Sequence, residues 1–300
     1  MTCSVPVIQR SLGGIILTNN RVPAPRPGAM DYSNYIQANM ATSPAHIFHL
    51  ALRVFAVLVA LIPFSLAGAA DIRQEDLDGS LVAAASAADM NSFNIALKLG
   101  ANLNAIDAHG NNVVLAATLG NHTELLRTLL EKGVNPGIVG SSGFAPLAYA
   151  SMVGSMRNVQ LLIKAGADPN QRTALGETPM HLAAEFGRTD IIALLAAAGA
   201  RIDARNSALE TPLMAAIRAN KADAFDALLS RGADTNVSDK DDRSALFLAI
   251  LEDHEEMALT LVEKDAGFAR RPRQYTPLQM ARFMGHRRVV AALEDRGASE

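Results

Sequence analysis

The stretch ETPMHLAAEFGRTDIIALLAAAGARIDARN, residues 177–206, decides the fold. Pro179 stands where the first turn of a helix has no use for an N–H, and Thr178 before it can accept from the free amides of that turn. Leu182, Ala183 and Ala184 keep this first helix thin, so a neighbouring helix can approach closely, and Gly187 ends it. A second helix is predicted through Ile191, Ile192, Leu194 and Leu195, whose spacing gathers one apolar face, with Gly199 as its left-handed stop. Neither helix can bury its stripe alone, so the pair requires neighbours of its own kind.

The neighbours are found at an offset of 33 residues. Gly143, Pro146, Leu147, Gly154 and Gly166 lie one step back, and Gly110, Asn121 and Gly133 one step further. Forward, Pro212, Leu213, Asn220 and Gly232 hold the register, followed by Ala245, Leu246, Asp253 and Asp265; after a one-residue shortening come Thr276, Pro277, Leu278, Gly285 and Gly297. A degenerate first unit ends in KLGANLN around Gly100, which makes seven units, at about 78–106, 107–139, 140–172, 173–205, 206–238, 239–270 and 271–300. The end units should differ because an outer face meets water: unit one carries Ala88, Asp89, Asn91, Ser92 and Asn94, and unit seven Arg287, Arg288, Glu294, Asp295 and Arg296.

TPMHLAA at Thr178–Ala184, TPL at Thr211 and Thr276, and the closing GADPN, GADTN and GANLN segments resemble the ankyrin repeat family. The resemblance implies an all-α ankyrin-repeat solenoid of about seven helix-turn-helix units, joined by β-hairpin or turn loops. It implies a structural hydrogen bond from the ring of His181 to the turn near Thr178. It also implies binding through hairpin tips and the exposed concave face of each first helix. On this chain the helix positions are Leu119 and Gly120, Met152 and Val153, Glu185 and Phe186, Arg218 and Ala219, Leu251 and Glu252, and Phe283 and Met284. The hairpin positions are His109, Asn111, Phe144, Glu177, Glu210, Arg243, Arg273 and Tyr275. The helix strip is apolar enough to expose a patch of the size that marks a partner site, with Phe186 and Met152 as leading contacts. Alternatively, some of these side chains lean into the gaps between units and add to the core.

Composition agrees with a helical stack. Tryptophan is absent and aromatics make up 5% of residues, which suits small-faced helices better than a β-sandwich. Without residues 1–70, which hold Arg10, Arg21, Arg26 and Arg53 against Asp31 alone, 23 basic residues face 29 acidic ones. That negative average repels polyanions and argues against nucleic acid as a partner. The one cysteine, Cys3, excludes an internal disulfide.

Residues 46–70, HIFHLALRVFAVLVALIPFSLAGAA, follow the order of a signal peptide: Arg53, an apolar run from Val54 to Leu61, Pro63, then small residues. Cleavage is expected after Ala69 or Ala70, giving a periplasmic or secreted protein. The alternative is an uncleaved segment anchoring the chain in the inner membrane, its one membrane contact. Residues 40–70 are read as this leader, 1–39 as a disordered extension or one not translated when Met30 or Met40 opens the frame, and 71–77 as a short linker.

No cofactor or metal is expected. HEEMA at His254 lacks a second histidine at ligand spacing, and SDKDDRS at Ser238–Ser244 lacks the glycine and terminal glutamate of a calcium loop. No nucleophile elbow, Walker loop or dinucleotide fingerprint is present. RRPR at Arg270–Arg273, with Arg282, His286, Arg287 and Arg288, makes the carboxy end basic; a solvated face is one reading, an acidic partner the other. The sequence therefore predicts a monomeric, non-enzymatic scaffold or inhibitor that binds another protein, with a host-directed effector as the alternative.

Overall fold

In the computed structural model the described residues are 7–11, 14–18, 73–108, 110–264 and 275–298. The chain divides into two units, Met1–Ala67 and Gly68–Glu300. In the first, strands β1 (Val7–Ser11) and β2 (Gly14–Thr18) pair antiparallel with Val7 opposite Thr18 and Ser11 opposite Gly14. These residues fall in the segment expected to be a disordered or untranslated extension, and their two short runs rich in β-branched residues suit such a ladder. The leader proposed over residues 40–70 lies outside the described residues.

The second unit is all-α and contains the seven helix pairs that the period predicts. They are α1 (Gln74–Ala87) with α2 (Met90–Lys98), α3 (Val113–Leu119) with α4 (Thr123–Glu131), and α5 (Pro146–Val153) with α6 (Met156–Lys164). Then follow α7 (Pro179–Glu185) with α8 (Thr189–Ala197), α9 (Pro212–Arg218) with α10 (Ala222–Leu229), α11 (Ala245–Leu251) with α12 (Glu255–Glu263), and α13 (Pro277–Met284) with α14 (Arg287–Asp295). Residues 74–77, read as linker, already belong to α1. Glu75 and Asp76 sit favourably in its positive first turn, and Leu77 packs on the core.

Helix starts follow the local chemistry. Thr211 and Thr276 accept from the amides of Met214 and Gln279, at 3.4 and 3.2 Å, and Asn112 and Ser244 do the same in units that lack the threonine. The turn between paired helices takes a left-handed residue, met by Gly187 at φ 69° and equally by Asn121, Asn220 and Asp253. Asparagine and aspartate tolerate that region better than other residues with a β-carbon.

First helices are buried almost all round, as Pro179 to Ala184 of α7 are, whereas second helices bury one stripe, such as Ile191, Ile192 and Leu195 of α8. All helix pairs in substantial contact belong to the same or adjacent units. Polar links cross the same interfaces: the buried Asn158 of α6 accepts from Thr123 at 2.8 Å and donates to Asn121 at 3.1 Å. At the amino-terminal end the expected polar finish is incomplete, since Met90, Ile95 and Leu99 of unit one are exposed. At the other end α14 buries Val289 and Leu293 and turns its arginines and acids outward.

Candidate protein-docking face

Each unit contributes a hairpin end and, eight residues on, a side chain in the last turn of its first helix. From unit two to unit seven the hairpin ends are Asn111, Phe144, Glu177, Glu210, Arg243 and Tyr275, and the helix positions Leu119, Met152, Glu185, Arg218, Leu251 and Phe283. Phe144 and Met152 are 7% and 2% exposed, so they are core residues rather than contacts. The thin, alanine-rich helices let adjacent units close over them. Leu119, Glu185, Phe186, Arg218 and Leu251 are half-buried. Val153, Tyr275, Phe283 and Met284 are the exposed members of the strip, Phe283 at 83%. The apolar patch is therefore smaller than predicted and weighted to the carboxy-terminal unit. His109 and Arg273 lie outside the described residues.

Between these apolar ends the face is charged. Arg218 holds Glu210 at 2.6 Å. Burial, with the neighbouring Glu177 and Glu210 carboxylates, pushes the Glu185 carboxyl up to about 7 against the pull of Arg218. A carboxyl held above its ordinary 4.5 stabilises the fold fully below about pH 4.5, and that contribution is lost as pH rises through 7. Glu185→Gln is accordingly expected to raise the thermal midpoint near pH 8 and leave it unchanged near pH 4. Equal shifts at both pH values would show that the group does not titrate there.

The acidic hairpin Ser238–Ser244 is organised inward. Asp239 accepts from the amides of Asp241 and Arg243, both at 2.9 Å, and the Arg243 guanidinium spans Asp239 at 2.6 Å and Asp241 at 3.0 Å. His181 is also structural: its Nδ1 accepts from the Thr178 amide at 3.1 Å, and its Nε2 reaches the Glu210 carbonyl at 3.0 Å, tying unit four to unit five.

Sequence reasoning named other positions in the hairpin row and missed its exposed apolar side chains. Ile106, Val139, Leu175 and Leu209 are all exposed there. The signal was available at Leu209, which occupies the position of Gly110, Gly143 and Gly176.

A family model described as ankyrin repeats in three copies matches residues 81–173, 154–239 and 213–299. No curated protein matches the chain.

Proposed function

Because the chain belongs to the ankyrin repeat family, whose arrays typically serve as binding scaffolds, we propose that it is a non-enzymatic scaffold or inhibitor exported across an inner membrane. It docks another protein along its hairpin tips and the outer ends of its first helices. The observation that carries this reading is Phe283, an aromatic side chain 83% exposed beside exposed Met284 on a helix whose Leu278 and Ala281 are buried. Exposed aromatics in such a setting are the anchors that interfaces cover. The order of residues 46–70 supports export, with the mature chain starting near Ala70 or Asp71.

Site-specific photo-cross-linking in cells, with the reactive group at Phe283 and separately at Val153, tests the binding role. A single protein adduct is expected, and Phe283→Ala should weaken the purified complex roughly tenfold or more. No adduct from either position would count decisively against it. Amino-terminal sequencing combined with fractionation tests export: mature protein found in the medium or in a host cell, and absent from the periplasm, would favour a host-directed effector.

A further inference from the structure

Arg172 and Arg205 occupy the same place in consecutive hairpins, and both are exposed. Arg172 donates through Nη1 to the carbonyls of Gly176 at 3.0 Å and Arg205 at 2.6 Å. Arg205 donates through Nε to Leu209 at 3.2 Å and through Nη2 to Ser238 at 2.6 Å. Each guanidinium thus ties its own hairpin to the next. All four acceptors are neutral, and among the described residues neither arginine is ion-paired. Nearby Glu210, Asp239 and Asp241 are engaged by Arg218 and Arg243 instead. Two full positive charges are therefore fixed at the hairpin row with N–H donors to spare. Exposed Lys240 adds a third cation in the following hairpin, whose backbone bonds to Ala208 at 3.0 Å.

Beside these cations Leu175 and Leu209 are exposed, Leu209 at 42%. Leu209 also has φ 60°, where the three preceding hairpins use glycine at φ 71°, 78° and 75°. A β-carbon is disfavoured in that region, and an exposed leucine gains little packing to offset it. A strained residue retained at the surface points to a contact made outside the chain.

We propose that the hairpins around Arg172–Leu175 and Arg205–Leu209 form a docking strip for an acidic, apolar segment of a partner protein. Its carboxylates sit on the two guanidinium groups and an apolar side chain covers Leu175 and Leu209. This rests on the protein-binding reading above and names the chemistry of the partner. Guanidinium–carboxylate pairs are strong when bidentate, and arginines already immobilised lose little further freedom on binding.

The test uses the full chain and two labelled short peptides, one alternating leucine with glutamate and one alternating leucine with lysine, followed by fluorescence anisotropy at low salt. The glutamate peptide is expected to bind and the lysine peptide not. Arg205→Gln should weaken binding about tenfold. Leu209→Gly should weaken it while raising the thermal midpoint by about 2–4 °C. That opposition of signs separates a contact residue from a structural one, which would move only stability. The inference is overturned if the two peptides bind alike, if neither binds, or if Leu209→Gly leaves affinity unchanged. A surviving cross-link at Phe283 would then show that only this strip was misread, whereas the general binding role stands or falls on that cross-link.

Discussion

Phe225→Ala is expected to lower the unfolding free energy by about 3–5 kcal/mol, measured by urea titration. Phe225 is 1% exposed in the buried stripe of α10. The same position in the other units holds Phe93, Leu126, Val159, Ile192, Ala258 and Val290. Phe225 heads the largest fully buried side chains among the described residues, so its truncation leaves a large void. Stability in such an array is a sum over neighbouring interfaces, so weakening a middle unit should also broaden or split the transition. A loss below about 1 kcal/mol would mean that the site collapses freely and that the packing described for α10 is wrong.

His181→Ala is the second large effect, at about 2–4 kcal/mol. The ring is buried, and its removal leaves the Thr178 amide without its acceptor, in an interior that penalises unmet polar groups, and cuts the link to the Glu210 carbonyl, which keeps the Asn206 amide. Burial lowers the ring from its ordinary 6.5 to about 4. A depressed folded-state value contributes stability that is complete above about pH 6.5 and is lost as pH falls toward 4. Glu185 works in the opposite sense over nearly the same window. Between about pH 4.5 and 6.5 unfolding takes up a proton at the histidine and releases one at the glutamate, so the two slopes largely cancel. Thermal melts of Glu185→Gln across this range should therefore fall with acid more steeply than those of the unmodified chain. Parallel curves would show that the two groups do not offset one another.

Much of this architecture was legible because its causes are local and recur. Proline at the first helical turn, a capping hydroxyl, thin alanine helices and a left-handed stop are properties of a few residues each, and the 33-residue offset multiplies them. Exposure along the docking face was not legible, because it depends on what the next unit covers. Met152 and Phe283 hold equivalent positions, yet Met152 is closed over by unit four while Phe283 lies in the last described unit. The spacing of Arg172 and Arg205 is visible in the sequence, but their acceptors are not, since a carbonyl leaves no residue-type signature. The antiparallel pair at residues 7–18 was less legible, because Pro6 and Pro23 flank its β-branched runs.

The arginine links have one more consequence. Every amino acid carries a carbonyl, so the bonds that Arg172 and Arg205 make are blind to the side chains at the acceptor positions 176, 209 and 238. The alignment of the hairpins is thereby uncoupled from the identity of their tips. Tip residues can be exchanged, and recognition retuned, while the row that presents them keeps its spacing.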